Sequence, residues 1–362
     1  MRIAQIAPLF ESVPPKYYGG SERVVSYLTE ELVRQGHDVT LYASGDSVTR
    51  ARLVAACPHS LRLDRSCIDP LAHYTRALEA VFRDTHDFDV LHFHIDYLHF
   101  PLSRRHAVPT VTTLHGRLNI PELVPFYHEF PEMPVVSISD VQRAPLPWIN
   151  WRATIHHGLP KDLYTLREAP GKYLAFLGRI SPEKRADRAI EIARRVGLEI
   201  KIAAKVDVAD REYFEAVIKP MLKDPYVDYI GEIGEAEKND FLGNAVALLF
   251  PIDWPEPFGL AMIEAMACGT PVVAFRNGSV PEVIGNGITG FIVDDIDHAV
   301  RAVEQIESLS RRRCRQVFEQ RFTASRMAQD YTAVYEHLLV GESSLAAAAA
   351  DEITAEDNPQ WK

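Results

Sequence analysis

Short apolar runs alternate with amphipathic helical stretches along most of the chain, and this alternation is the strongest constraint on the fold. Residues 2–7 form the first apolar run and end in a loop that contains prolines and glycines. Ser21 is predicted to cap a helix with a 3.6-residue apolar period, and Gly36 to end it. Residues 38–43 resume as a strand. This segment predicts a βαβ unit.

The same alternation occurs in two series. Strands that are apolar on both faces are typical of a parallel sheet covered by helices. Further strands are predicted at 89–93, 109–114, 134–138, 173–177, 199–204, 227–230, 245–250 and 271–275. We therefore expect an α/β protein of two doubly wound, Rossmann-like domains that face a central cleft. Ligands bind such domains at the carboxyl ends of their strands.

The predicted domain boundaries follow the proline and glycine residues near the middle of the chain. Residues 1–160 form the first domain and residues 161–322 the second. A helix at 323–340 is expected to pack back on the first domain. Residues 341–362 are rich in alanine, glutamate and serine, which is typical of a flexible tail.

Composition excludes several classes of function. Lys plus Arg total 39 against 50 for Asp plus Glu, so the net charge of −11 repels nucleic acid. No apolar run is long enough to span a membrane, and the first residues are too polar for a signal peptide. We expect a cytoplasmic protein that at most touches the inner membrane face. The four cysteines lack the spacing of a zinc site.

Two carboxylates flank a predicted helix start in residues 255–269, PEPFGLAMIEAMACG. Glu256 and Glu264 could simply satisfy the helix dipole. Alternatively, one accepts hydrogen bonds from a transferred hexose and the other from a ribose diol, as acidic residues do in dinucleotide folds. In that case the free N–H groups of Phe258 and Gly259 complete the sugar contacts. These residues alone are compatible with both roles, support of the helix dipole and binding of sugar hydroxyls.

Two other segments suit a phosphorylated ligand. Arg179 and Lys184 follow a strand-end glycine, and such a pair can hold a diphosphate, although loop cations are more often solvated. Gly19 and Gly20 follow the first strand, where they allow backbone to approach a ligand closely.

In this order, the three segments resemble the retaining glycosyltransferases of family 4, which have the GT-B fold. The resemblance extends to about Leu339. Its most specific element is Glu256 to Glu264, which matches the family's E-x7-E motif. His115 in THG and the segment 155–158, IHHG, also match. Two positions depart from the pattern: Arg185 stands where glycine is common, and His157 where asparagine is common.

The resemblance implies a role for each matching residue. Arg179 and Lys184 would hold the donor diphosphate, Glu264 the ribose, and Glu256 hydroxyls of the donor sugar. His115 would lie near the anomeric carbon, which gives His115, Arg179, Lys184 and Glu256 as the catalytic set. The remaining donor contacts would be Gly19, Gly20, Ile233, Phe258, Gly259 and Leu260.

One predicted strand end suits either a metal site or an acceptor site. His92, His94 and Asp96 alternate, so their side chains point the same way and could ligate zinc. No fourth ligand is evident, and in the family the diphosphate charge is usually met by Arg and Lys. We therefore expect no metal and no cofactor, and assign His94 and Asp96 to the acceptor.

The resemblance implies retaining transfer of a hexose from a nucleoside-diphosphate sugar, with UDP-glucose preferred over GDP-mannose. The acceptor is a hydroxyl on a sugar, a lipid-linked glycan or a small molecule. Front-face attack is implied, in which the leaving phosphate oxygen takes the acceptor's proton. An epimerase or a phosphorylase on the same fold, or a non-catalytic sensor of sugar nucleotides, are the alternatives. The oligomeric state is not indicated.

Overall fold

Seven parallel strands form the first of two sheets in the computed structural model, which describes residues 1–62, 64–169 and 171–356, with side chains up to residue 340. The order across this sheet is β3-β2-β1-β4-β5-β6-β7. The strands are β1 Arg2–Ile6, β2 Asp38–Ser44, β3 Arg52–Cys57, β4 Val90–Phe93, β5 Thr110–Thr113, β6 Val135–Ser137 and β7 Trp151–Thr154.

The second sheet has six parallel strands in the order β10-β9-β8-β11-β12-β13. They are β8 Tyr173–Arg179, β9 Ile200–Lys205, β10 Val227–Gly231, β11 Ala245–Phe250, β12 Val272–Phe275 and β13 Gly290–Val293. In both sheets the order reverses next to the first strand, which is the arrangement of a doubly wound domain. The predicted fold class is confirmed.

Helices cover both sheets. They are α1 Gly20–Arg34, α2 Pro70–Arg83, α3 Phe100–Ser103, α4 Leu123–Glu129, α5 Ala186–Val196, α6 Arg211–Tyr213, α7 Lys219–Met221, α8 Glu235–Gly243, α9 Leu260–Ala267, α10 Val280–Val283, α11 Ile296–Glu304, α12 Arg311–Arg321 and α13 Ala324–Glu356. Helix α5 shows why they form: Ala186, Ala189, Ile190 and Ala193 are buried on one face against the second sheet.

Helix α1 begins differently from the prediction. Gly19, not Ser21, occupies the N-cap position, and no side chain caps the helix. A Cβ on Gly19 would lie 2.8 Å from Cβ of Pro15, so the loop packs too closely for any other residue. The predicted serine cap was therefore wrong, because the glycine turn brings the chain into the helix two residues earlier.

Helix α13 returns the chain to the first domain. Leu159 pairs with Thr323 in an isolated bridge, and α13 then packs against α1. Tyr331 donates to or accepts from the hydroxyl of Thr113 at 2.7 Å, which joins the helix to β5. The helix continues to Glu356, past residue 340 where the predicted tail begins, and residues 357–362 of that tail lie outside the described residues.

Among the described helices, none is both long and apolar enough to cross a lipid bilayer.

Candidate active site

A cavity of about 480 Å³ lies between the two domains. Residues that follow strands of both sheets line it, so it occupies the carboxyl ends of the strands, where doubly wound folds bind ligands. Ten of the predicted site residues line this cavity: Gly19, Gly20, His115, Lys184, Ile233, Glu256, Phe258, Gly259, Leu260 and Glu264. Three, Arg179, His94 and Asp96, are not part of its lining.

Glu256 is held by two neighbours in the second domain. The ammonium of Lys184 forms an ion pair with its carboxylate, and Nε1 of Trp254 donates to the same oxygen at 3.0 Å. The Lys184 ammonium also lies 5.0 Å from the Trp254 ring centroid, close enough for a cation–π contact. Glu256 itself is only 8% exposed. The structure thus places one carboxylate and one cation side by side in the cavity.

Glu264 lies on α9 and has a lysine partner of its own. Nζ of Lys238, on α8, is 2.7 Å from Oε1 of Glu264 and 3.5 Å from Oε2 of Glu235. Glu235 forms an ion pair with the buried Arg23 of α1, which belongs to the first domain. The hydroxyl of Tyr164 also donates to Glu235. A chain of charges therefore links Glu264 to the opposite domain.

Sequence reasoning missed Lys238, Glu235 and Arg23. Lys238 and Glu235 are three residues apart on one helix, a spacing that predicts contact between them. Nothing in that spacing indicates that Lys238 reaches Glu264, because α8 and α9 are brought together by packing on β11. The ion pair between Lys238 and Glu264 therefore depends on tertiary structure.

The start of α9 requires a glycine. Gly259 has φ +81°, in the left-handed region, and a Cβ there would lie 2.9 Å from the Phe250 ring. Leu260 is the first residue of the helix, so the unpaired N–H groups of its first turn lie at the cavity. This end of the helix can accept an anionic or hydroxyl ligand.

Arg179 lies apart from the cavity. Its guanidinium forms ion pairs with Glu183, with Asp210 at 3.4 Å and with Asp207 at 3.7 Å. These carboxylates neutralise it in the present conformation, so a diphosphate would have to displace them. Lys184 is the better placed of the two predicted diphosphate ligands.

Arg185 stands where the family commonly has glycine. The backbone conformation at this position explains why glycine is common there. Its φ is +55°, in the left-handed region that side chains rarely adopt. The guanidinium is held by Asp187 at 2.8 Å and by Asp253 at 3.0 Å. These two ion pairs stabilise a turn that glycine would form without strain.

The histidines at the end of β4 are enclosed by the protein. His92 contacts the Tyr335 hydroxyl through Nδ1 and that of Thr113 through Nε2, both at 2.8 Å. His94 has Nε2 2.8 Å from Oε1 of Gln5 and Nδ1 2.9 Å from Nε2 of His115. Burial lowers the pKa values of His92 and His94 well below the usual range. Neither ring nitrogen of His94 is free for an acceptor, so the structure does not support the predicted acceptor contact.

Asp96 is exposed and has φ +51°, two residues beyond His94 and away from the cavity lining. Its predicted acceptor role has no support from this arrangement. Within residues 1–62, 64–169 and 171–356, no group of three His, Cys, Asp or Glu side chains is arranged to hold a metal ion.

Glu282 makes a second contact between the domains. Both carboxylate oxygens of Glu282, on α10, accept hydrogen bonds at 2.8 Å, from the backbone N–H groups of Asp140 and Val141. His156 Nε2 lies 3.2 Å from the same carboxylate. Glu282 therefore ties the second domain to the first.

Two family models match the chain. Residues 18–156 match "Glycosyltransferase Family 4" and residues 165–321 match "Glycosyl transferases group 1". The two parallel, doubly wound domains and the cavity between them define a GT-B type of protein. The chain belongs to the family 4 glycosyltransferases.

Curated relatives are distant. The chain is 25% identical over 338 residues to the D-inositol 3-phosphate glycosyltransferase of Mycolicibacterium smegmatis, covering 77% of this chain and 76% of that protein. Its match to the Mycobacterium leprae protein of the same name is 31% identical over 166 residues and spans only 35% of that protein. These similarities support a glycosyltransferase and leave its substrates to be proposed.

Solved structures share the fold over nearly the whole chain. AviGT4, a glycosyltransferase involved in avilamycin A biosynthesis, superposes with a TM-score of 0.71 at 24% identity, covering 94% of this chain and 98% of that one. The Anabaena protein Alr3699/HepE, solved in complex with UDP-glucose, gives 0.72 at 16% identity, covering 93% and 99%.

Proposed function

We propose that this glycosyltransferase moves a hexose from a nucleoside-diphosphate sugar to a hydroxyl acceptor, with retention of anomeric configuration and without a metal ion. One observation carries the proposal. Lys184, Glu256 and Glu264 line a single cavity between the domains, so a cation and two carboxylates face one ligand. This matches a donor that has a diphosphate, a hexose and a ribose.

Lys184 is assigned to the leaving diphosphate. Charge builds on that group as the glycosidic bond breaks, and a preorganised cation stabilises it more in the transition state than in the ground state. Lys184 is paired with Glu256 in this structure. Donor binding then exchanges one partner of Lys184 for another, which limits the cost of desolvating the ammonium.

Glu256 is assigned to hexose hydroxyls and Glu264 to the ribose. Glu256 precedes the first turn of α9 and Glu264 lies inside the helix. In front-face transfer the acceptor oxygen bonds to the anomeric carbon as the bond to the diphosphate breaks. The acceptor's proton passes to the leaving phosphate oxygen, so no enzymic nucleophile and no divalent ion take part.

UDP-glucose is the preferred donor, with GDP-mannose second. The complex of Alr3699/HepE with UDP-glucose supports the first choice, because that protein shares the fold. The name of the mycobacterial relatives supports a polyol or sugar hydroxyl as acceptor. Domain closure, aided by the Glu282 contacts, would exclude water and limit hydrolysis of the donor.

A screen of nucleotide sugars tests the proposal. Release of nucleoside diphosphate is measured with and without sugar, polyol and lipid-linked acceptors, in buffer containing EDTA. We expect release from one donor that depends on an acceptor and survives EDTA. An epimerase would change the sugar without any acceptor. Loss of activity that returns with one added divalent ion would contradict metal independence.

A further inference from the structure

A row of four histidines, three of them buried and the fourth, His115, half-buried, connects the interior of the first domain to the cavity. The ring centroids of His92 and His94 are 4.1 Å apart, those of His94 and His115 5.2 Å, and those of His115 and His157 5.3 Å. His115 and His157 line the cavity, whereas His92 and His94 lie behind them. Burial lowers the pKa of His115 to about 4, so the ring that reaches the ligand is neutral at physiological pH.

The side-chain amide of Gln5 determines where the protons in this row reside. Its Nε2 donates to the hydroxyl of Tyr335 at 3.1 Å, and its Oε1 lies 2.8 Å from Nε2 of His94. An amide oxygen only accepts hydrogen bonds, so Nε2 of His94 must carry a proton. Since a neutral imidazole has one N–H, Nδ1 of His94 is an acceptor.

The same reasoning extends to the cavity. Nδ1 of His94 is 2.9 Å from Nε2 of His115, so Nε2 of His115 donates and carries that ring's proton. Nδ1 of His115 is then a bare acceptor. It has no hydrogen-bond partner within the part of the chain that the structure describes. A buried polar atom without a partner costs free energy, and a ligand that supplies a donor recovers it.

We propose that Gln5 and His94 are positioning residues, which hold His115 in the tautomer protonated on Nε2 so that its Nδ1 accepts a hydrogen bond from a hydroxyl of the transferred sugar. The sugar contact rests on the proposed function, whereas the tautomer does not. The chemistry selects its partner: a hydroxyl can donate to Nδ1, but an ionised phosphate or carboxylate cannot. His115 therefore favours the sugar over the diphosphate at this side of the cavity and leaves the diphosphate to Lys184.

The tautomer is measured by nuclear magnetic resonance on the free protein labelled with ¹⁵N histidine, at pH 7. Long-range proton–nitrogen correlations distinguish a protonated ring nitrogen from a bare one, and loss of one set of signals in His115→Gln assigns them. We expect a single tautomer with the proton on Nε2. A proton on Nδ1, which the reverse orientation of the Gln5 amide would produce, overturns the proposal whether or not the protein transfers sugar.

Two variants separate positioning from general stability. Gln5→Leu removes the acceptor for His94, so we expect a mixture of His115 tautomers and a fall in kcat of about tenfold, with binding of free UDP unchanged. His99→Gln is the matched control: His99 is also buried and bonded through both nitrogens, to Ser103 and Thr112, without reaching His115. The proposal fails if both variants change the His115 signals alike, or if Gln5→Leu leaves them unchanged. Should Gln5→Leu not fold, the wild-type tautomer decides.

Titration with ligands tests the selectivity. The donor found active in the screen is expected to shift the Nδ1 resonance of His115, and inorganic phosphate is expected to leave it in place. A shift with phosphate alone would contradict selection of a hydroxyl. If no sugar nucleotide is turned over but the tautomer is as expected, the proposed function and the sugar contact fail while the positioning role of Gln5 and His94 stands.

Discussion

The two walls of the cavity both carry charged side chains, but among the described residues only the wall from the first domain also presents neutral histidines. On the wall from the first domain, the half-buried His115 and the buried His157 are neutral, and behind them His94 is bonded to Gln5. On the wall from the second domain, Lys184 pairs with Glu256 and Lys238 with Glu264. A neutral imidazole can bind a hydroxyl by a hydrogen bond without adding charge, whereas a lysine ammonium can also stabilise a diphosphate. Under the proposed function, His115 and His157 can therefore contribute hydrogen bonds to the donor, whereas Lys184 contributes charge.

Acid should destabilise the first domain before the second. Burial lowers the pKa values of five histidines, whereas in the unfolded chain they titrate near 6.5; they are His92, His94, His99, His115 and His157. Below pH 6.5 the unfolded chain takes up protons that the folded one does not, so stability falls with pH. Between pH 6.5 and 5.5 we expect a loss of about 1 kcal/mol for each histidine, or roughly 5 kcal/mol together.

Hydrogen exchange followed by mass spectrometry checks this prediction, with correction for the intrinsic dependence on pH. On going from pH 7.5 to 5.5, amides of β4 and β5 should lose protection, while those of β8 and β11 should keep most of theirs. The second domain carries His298, which is exposed, and so provides an internal control. Equal loss in both domains would show that the neutral histidines do not distinguish them.

Removing the Lys184 ammonium from the second wall should impair catalysis. Lys184→Ala is expected to lower kcat/KM by on the order of 100-fold, as loss of a preorganised electrostatic contact does. Arg179→Ala should cost less, because Arg179 is already neutralised by carboxylates outside the cavity. Lys219→Ala, which removes an exposed partner of Glu215, serves as the control. If Lys184→Ala behaves like that control, the Lys184 ammonium does not contact the donor.

Loss of the Glu282 contact between the two domains should have the smallest effect. Burial opposes charge on Glu282, but hydrogen bonds from His156 and from backbone N–H groups outweigh it and lower its pKa. Glu282→Gln is therefore expected to reduce the free energy of unfolding by about 1 kcal/mol at pH 7.

This difference depends on pH. A lowered carboxyl pKa contributes stability that is present above about pH 4.5 and is lost as pH falls through the folded value. Denaturant titrations of wild type and Glu282→Gln should therefore converge in acid. Glu304→Gln, at an exposed position on α11, is the control. A deficit in Glu282→Gln that persists in acid would mean that the charge of Glu282 is not involved.

Ten of the thirteen strands in the described residues, and the position of Glu256 and Glu264 beside one cavity, were predictable from local pattern, whereas β3, β7 and β13 were not predicted. Strands buried on both faces are continuous apolar runs, and Glu256 and Glu264 have a fixed spacing on either side of a helix start. The start of α1 was not predictable, because close packing against Pro15 requires Gly19 at the N-cap position, and no side chain caps the helix. Local pattern predicts elements, and tertiary packing decides their ends.

The partners of the site residues could not be predicted, because they come from distant parts of the chain. Lys238 reaches Glu264 from another helix, and Gln5 reaches His94 from a neighbouring strand. Arg179 fits the diphosphate pattern in sequence, yet Asp207 and Asp210 after β9 engage it. His94 was expected to contact the acceptor, but the fold places it behind His115 and outside the cavity lining.

Titration of two variants with free nucleoside diphosphate tests the central claim most directly, since Glu256 and Glu264 are assigned to different halves of one donor. UDP or GDP, whichever binds the wild type, is titrated into Glu256→Gln and Glu264→Gln by calorimetry. We predict that Glu264→Gln weakens binding about tenfold or more, as loss of a hydrogen bond to a charged group does. Glu256→Gln should bind the diphosphate as the wild type does and should lose kcat with the intact donor. Equal weakening in both variants would contradict this division and would return both carboxylates to a role in supporting the helix start.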